Sequence, residues 1–296
     1  MGLAPILLFV YNRPDHIRRT VEALQRNSLA EYSDLYVFSD GPRSLADMKN
    51  VLQVRDFIKH IKGFKNITLI ERERNYGLAC SIISGVTEVM NRFGYVVVLE
   101  DDIITAPYFL KYMNEALAKY YDNEKVMHIA GYMLPIDSLG LNETFFYRNT
   151  TCWGWGTWKR AWDLMEEDAC SLMARFSEET KYHFNIDGVY DSWKMLELQR
   201  KGEINSWAIR WYASVFLAGG LCLHPSKSLT SNIGNDATGV HCRNSSIYDV
   251  ELYLRPIIQY VETITEDRTA LERIREFFKR NNRSSIRKVV TRLFRL

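Results

Sequence analysis

Cysteine is scarce in this 296-residue chain: five residues (Cys80, Cys152, Cys170, Cys222, Cys242), odd in number and with no C-x-x-C pair. That argues against a disulfide framework and a structural zinc site, and it favours a reducing, cytoplasmic compartment. Long apolar runs are also missing. The longest nearly apolar stretch, Tyr212–Leu223, falls well short of the roughly 18 residues a membrane span needs. The opening MGLAPILLFVY has no basic residue before its apolar run and no small-residue cleavage site after it, so it reads as a buried strand and not a secretion signal. No G-x-G-x-x-G follows that run, which argues against a dinucleotide dehydrogenase. No G-x-x-x-x-G-K-[ST] occurs anywhere, which argues against a P-loop nucleotidase. Internal repeats, low-complexity segments and Pro/Gly linkers are absent as well.

What is present is ordinary globular composition, 47% hydrophobic and 25% charged, enough to bury a large core. The net charge of +2 hides an asymmetry. Arg273–Leu296 holds nine basic residues against the single Glu276, a net +8 that leaves −6 on the rest of the chain. An acidic body repels phosphates, so nucleic acid is not an expected partner.

The first hundred residues alternate short apolar runs with segments of helical periodicity. Pro5–Tyr11, Leu35–Ser39, Ile67–Ile70 and Tyr95–Glu100 read as strands, and Pro14–Arg26, Leu45–Lys62 and Leu78–Phe93 as helices. Runs apolar on both sides suit strands covered on both faces. Strand–helix repeats of about 30 residues predict an α/β fold, a mostly parallel sheet flanked by helices. Pro107–Tyr121 continues as helix, Val126–Tyr132 as strand and Ser206–Ala218 as helix, and all seven tryptophans crowd between Trp153 and Trp211. The predicted organisation is an α/β half over 1–125, an aromatic-rich half of the same domain over 126–265, and a basic helical tail over 266–296.

Ligands of open parallel sheets bind outside the carboxyl ends of the strands. Four exits bring polar groups to one edge: Asn12-Arg13-Pro14-Asp15, Ser39-Asp40-Gly41, Glu71–Asn75 and Glu100-Asp101-Asp102. Three consecutive carboxylates ending a buried strand repel one another and lose hydration, and a divalent cation would offset both costs. Hard oxygen donors suit Mg2+ or Mn2+ shared with a substrate diphosphate. The alternative is an acidic helix start, where aspartate caps backbone N–H groups.

The apolar strand ending in E-D-D, with N-R after the first strand and S-D after the second, resembles nucleotide-sugar glycosyltransferases of the GT-A fold. More closely it is similar to the N-glycan branching N-acetylglucosaminyltransferases and their bacterial relatives. The resemblance implies that Asp102 binds the metal, that Asp101 contacts the ribose and Glu100 assists, that Asp40 receives the uracil N–H, and that Arg13 lies near the donor phosphates. Val10, Tyr11, Asn12, Asn75 and Leu78 complete the expected nucleotide-sugar site.

In the second half, Cys152-Trp153-Gly154-Trp155-Gly156-Thr157-Trp158 resembles the tryptophan–glycine loop that precedes the catalytic acid in several glycosyltransferases. Glycine admits close backbone approach and tryptophan stacks on sugar faces, so Trp153, Gly154, Trp155 and Gly156 are expected at the sugar or acceptor. The competing reading is that the tryptophans are core. Thr157-Trp158-Lys159 stands where the family carries Glu-Asp, so the base comes from elsewhere. Asp191, in Tyr190-Asp191-Ser192-Trp193 with Gln199-Arg200-Lys201-Gly202 following, is the first candidate, and Glu203 the second. Ser228–Gly234 leads to Gly239-Val240-His241, and His241 is expected as a further metal or diphosphate ligand. Trp207 and Trp211, four apart, suit a packed helix.

In the tail, Ile286, Val289, Val290 and Leu293 fall on one face of a helix expected to break at Asn281–Ser285, with Arg287, Lys288, Arg292 and Arg295 around them. Such a segment suits an anionic membrane surface, here the inner face of the cell membrane. The sum of these expectations is a metal-dependent, inverting glycosyltransferase using Mn2+ or Mg2+. Its donor is a nucleotide-diphosphate sugar, UDP-linked by preference, and its acceptor a glycan or lipid-linked glycan in surface polysaccharide assembly. The rivals are a sugar-1-phosphate nucleotidyltransferase, which usually carries a Gly-rich N-terminal loop not found here, and a non-catalytic carbohydrate- or membrane-binding scaffold.

Overall fold

The computed structural model describes residues 2–234 and 246–293, with side chains as far as Asn281. The first half runs β1 (Ile6–Val10), α1 (Pro14–Gln25), β2 (Asp34–Ser39), α2 (Leu45–Lys59), β3 (Asn66–Glu71), α3 (Leu78–Phe93), β4 (Tyr95–Glu100), β5 (Ile103–Thr105) and α4 (Phe109–Lys119). The second runs β6 (Val126–Ala130), β7 (Thr144–Tyr147), β8 (Trp155–Trp158), α5 (Lys159–Trp162), α6 (Ala169–Met173), α7 (Glu178–Phe184), α8 (Ser192–Arg200), α9 (Trp207–Leu217), β9 (Leu221–Pro225), β10 (Thr230–Asn232) and α10 (Arg268–Leu293). Eight strands form one sheet in the order β3-β2-β1-β4-β8-β6-β9-β7, and β10 pairs with β5 in a separate ribbon. The sheet is parallel from β3 to β4, and β8 enters antiparallel beside β4. This is the GT-A-type, Rossmann-like α/β architecture expected.

Side chains alternate across β1. Ile6, Leu8 and Val10 pack with α1, α2 and α4 through Ile17, Val21, Val54, Phe109 and Leu110. Leu7 and Phe9 face the other way onto Ile82, Val86 and Val89 of α3. Both faces are covered, which is why β1 is apolar at every position. Truncating Leu8, fully buried, to alanine would cost about 2–5 kcal/mol. Proline at the first turn starts α1, where the missing N–H is no loss.

Three expectations need correction. β3 alternates between exposed and half-buried positions and is not a two-sided core strand, because it is the sheet's edge. The tryptophan–glycine segment is not a loop beyond Gly154. Trp155–Trp158 is the buried strand β8 that splices the two halves into one sheet. The tail helix shows no break at 281–285, since α10 is continuous from Arg268 to Leu293. Its first turns belong to the body: Ala270, Leu271, Ile274 and Phe278 are buried against Met133, Phe145 and Tyr147.

Candidate functional site

The parallel register brings the four exits to one edge. Asp101 and Asp102 follow β4 and are almost fully buried, and the Arg13 guanidinium at the exit of β1 reaches both. Its Nη2 donates to Asp101 Oδ1 and, at 2.9 Å, to Asp102 Oδ2. The Tyr11 N–H reaches Asp101 Oδ2 at 3.3 Å, and the Thr20 hydroxyl holds the Asp101 carbonyl at 2.7 Å. Three acids thus share one arginine. Burial first, then the charges of Asp102 and Asp101, push Glu100 up to about 8. Burial likewise lifts Asp101 to about 6 even though Arg13 pulls against it. Burial disfavours the charged form of Arg13, but the two aspartates outweigh it and raise its pKa.

The loop singled out at Ser228–Gly234 arrives at the same place. β10 pairs with β5, and the Ile233 N–H donates to the Asp102 carbonyl at 2.9 Å. A Cβ on Gly234 would fall 2.2 Å from Asp102 Oδ2 and 2.9 Å from Arg13 Nη1, so only glycine lets the loop pass this close to the ion pair. Among the described residues no group of three or more His, Cys, Asp or Glu side chains is placed to hold a metal by itself. Two hard-oxygen carboxylates beside a cradle that a Cβ would fill nevertheless fit a Mg2+ or Mn2+ that displaces Arg13 from Asp102 and takes its other ligands from a substrate. His241 lies outside the described residues.

The other nucleotide-site candidates are in the same neighbourhood, with a different use for Asp40. Its carboxylate accepts from the N–H groups of Gly41 (3.0 Å), Tyr76 (2.8 Å) and Gly77 (2.9 Å). It therefore welds the exit of β2 to the start of α3. Asn75 donates to the Gly41 carbonyl at 2.8 Å, and Leu78 is exposed. Asn12 donates to Asp47 at 2.8 Å, and the Tyr11 hydroxyl accepts from the Arg43 N–H at 3.0 Å. Val10 is buried in the core beneath them.

The aromatic candidates separate. Trp155 is fully buried, stacked on Trp207 at 5.2 Å and on His128 at 5.4 Å, and is not available to a sugar. Gly156 is likewise inside β8. Trp153, two residues earlier, is half-buried and meets Tyr132 edge-on at 4.5 Å on the wall of a cavity of about 280 Å3. Gly154 holds the turn between them with φ of 77°, pressed on Thr230, and its carbonyl accepts from Gly131 at 2.7 Å. Trp207 and Trp211 are core, as their helical spacing suggested.

Asp191 is the exposed N-cap of α8, accepting from the Lys194 N–H at 3.0 Å with one oxygen. Its neighbours Tyr190 and Ser192 both line the cavity. Glu203 is exposed beyond the far end of α8, 4.0 Å from Lys201, and no residue next to it lines the cavity.

Sequence reasoning missed a second charged cluster. Arg148, after β7, donates to Asp187 at 3.0 Å and from Nε to Glu266 at 2.7 Å, and His183 donates to Asp187 at 2.7 Å. Arg275 of α10 approaches Asp187 at 3.8 Å. Burial alone would raise the Asp187 pKa, but the His183 hydrogen bond and the charge of Arg148 hold it below the usual range. No local signal could have found this cluster whole, because Arg148 lies 118 residues from Glu266 in the sequence.

Residues 6–149 match the model of Glycosyl transferase family 2. The match to this glycosyltransferase model therefore takes in just under half of the chain, 144 of its 296 residues. Among solved structures, S. aureus TarS is similar at 13% identity over 44% of this chain and 22% of that one, with a TM-score of 0.30. The chain thus spans about a fifth of the length of that structure. The mannosyltransferase PcManGT from Pyrobaculum calidifontis, in complex with GDP-Man and Mn2+, is similar at 12% identity over 72% of this chain and 74% of that one (TM-score 0.39). UDP-glucose pyrophosphorylase complexed with UDP-glucose is similar at 9% identity over 75% of this chain and 90% of that one (TM-score 0.40). At these identities and TM-scores the likenesses assign neither donor nor acceptor. No curated protein matches the chain.

Proposed function

We propose that the protein is a metal-dependent, inverting glycosyltransferase that moves a sugar from a nucleoside-diphosphate donor, UDP-linked by preference, to a glycan or lipid-linked glycan of surface polysaccharide assembly. The observation that carries this reading is the carboxylate pair Asp101–Asp102 at the end of β4, short of positive charge and reached by Arg13 from the neighbouring exit. Asp102, joined by His241, would hold Mn2+ or Mg2+, whose chemistry is to neutralise charge on the departing diphosphate. Arg13 moves between carboxylate and donor phosphate as a bidentate partner. Glu100, Asp101 and the loop that Asp40 welds in place shape the nucleotide site. Asp191 takes the proton of the acceptor hydroxyl as that oxygen attacks the anomeric carbon and the bond to the diphosphate breaks. The finer likeness to the branching N-acetylglucosaminyltransferases rests on the sequence motifs.

No described helix is long and apolar enough to cross a membrane. Contact with the inner face of the membrane falls to the basic distal part of α10, because Arg273 and Arg275 nearer its start already bond to Asp137 and approach Asp187. Flotation with vesicles containing anionic lipid, and none with zwitterionic vesicles, is the expected result.

The deciding experiment is calorimetric titration of UDP with and without Mn2+, repeated on Asp102→Ala. Manganese-dependent binding that disappears in the variant supports the reading. Silence of UDP, GDP, CDP and dTDP alike overturns it. Pyrophosphate release from a nucleoside triphosphate plus a sugar 1-phosphate would favour the nucleotidyltransferase instead.

A further inference from the structure

The cavity beside Trp153 is walled chiefly by Tyr132, Ile186, Tyr190, Tyr248 and Phe278, and at about 280 Å3 it lies at the small end of ligand pockets, which run roughly 300–1,000 Å3. One of its few polar groups is buried and idle. The Thr150 hydroxyl, in a residue 7% exposed, has no hydrogen-bond partner. His224 is fully buried, donates from Nε2 to the Asn149 carbonyl at 2.9 Å and also meets the Tyr132 backbone. Buried polar atoms are normally satisfied, so an idle hydroxyl on the wall of a cavity marks a place where a ligand supplies the partner. The wall is also held under strain. Ile186 and Asp187 take φ of 51° and 50°, a conformation a β-branched residue avoids. The bonds from Arg148 and His183 to Asp187 keep it there.

None of the strand-exit residues around Asp101 lines this cavity, yet the two sites adjoin. Cys152 lines the cavity and feels the charge of Glu100, and the Trp153 carbonyl accepts from Thr230 of β10 at 2.6 Å, two residues before Asn232 and the approach to Asp102. Taking the donor-site reading above as its premise, we propose that the cavity receives the terminal sugar of the acceptor, and that this sugar is a 6-deoxy or N-acetylated pyranose. Aromatic walls match the apolar face and methyl group of such a ring. A fully hydroxylated hexose would bury more hydroxyls than the few polar groups here can satisfy. The volume suits one pyranose ring.

The test is calorimetry on the full chain, without nucleotide, using methyl α-L-rhamnoside, methyl N-acetyl-β-D-glucosaminide and methyl β-D-glucoside. One of the first two is expected to bind at least about tenfold more tightly than the glucoside, and Thr150→Val to weaken it about tenfold. UDP binding and the unfolding temperature of Thr150→Val should stay at wild-type values, which separates a lost contact from a lost fold. Trp153→Leu, which removes a wall and no polar partner, should weaken the same glycoside. Equal binding of all three glycosides, or indifference of the preferred one to both substitutions, overturns the proposal. If UDP binds and no glycoside does, the cavity proposal falls and the donor reading stands. If a glycoside binds and no nucleotide does, the cavity stands and the donor reading falls.

Discussion

Two carboxylate clusters in this protein, one buried and one half-buried, are each centred on an arginine, and they differ in what is left over. Around Arg13, three acids face a single cation, and burial with mutual repulsion pushes Glu100 up to about 8. Around Arg148, Asp187 and Glu266 are matched by Arg148 and Arg275, with His183 adding a hydrogen bond, and Asp187 stays below its usual range. A balanced cluster of this kind holds segments together. An unbalanced one at a strand exit stores unmet negative charge, which a bound cation would relieve. The difference in charge count, more than any motif, separates the candidate ligand site from the second cluster.

The largest effect should come from Asp102→Ala: turnover measured by nucleotide release should fall by about 10^3-fold, in line with losing a principal electrostatic stabiliser. Its unfolding temperature should hold or rise, since a repelling charge is gone, and a clear drop would place Asp102 among structural residues. Arg148→Met should do the reverse, costing about 1.5–3 kcal/mol in chemical denaturation because the half-buried Asp187 and Glu266 lose the arginine they share. An unchanged midpoint would undo the contrast. Arg13→Met should lower the unfolding temperature in chelator, with Mn2+ restoring much of the loss, whereas Mn2+ should leave Arg148→Met unmoved. Equal response of the two variants to Mn2+ would show that the clusters do not differ as described.

A smaller, graded effect belongs to pH. His128 and His224 are fully buried, and burial depresses their pKa values to about 3 and about 4. His128 is held neutral by donating to the Thr151 carbonyl (3.0 Å) while accepting from the Trp211 indole (3.1 Å). The unfolded chain therefore takes up protons that the folded one refuses. Stability is full above about 6.5 and declines as pH falls toward 4, by about 1.4 kcal/mol per pH unit for each ring. Urea denaturation at pH 7, 6 and 5 checks this, and a flat series would mean that the rings charge within the fold.

Much of the first half was legible residue by residue. Strand and helix limits over 5–100 follow the apolar runs closely, and Glu100–Asp102 was legible as an acidic strand exit because acids rarely end a buried strand without a partner. The second half was less so. Trp153 and Trp155 look alike in the sequence, but the entry of β8 into the sheet after Gly154 puts one on a cavity wall and the other in the core. Asp40 was legible as a strand-exit acid, though its bonds to Tyr76 and Gly77 depend on how the next loop folds back.

The sequence by itself determined the α/β order, the covered sheet and the acidic strand exit, because two-sided apolar runs and turn residues act within a few positions. Only the tertiary structure decided how many cations each acid cluster has, which tryptophan faces the cavity, and that the Thr150 hydroxyl is buried on its wall without a partner. Those outcomes depend on contacts between segments brought together by strand register, and charge balance and burial take their values only after that register is set.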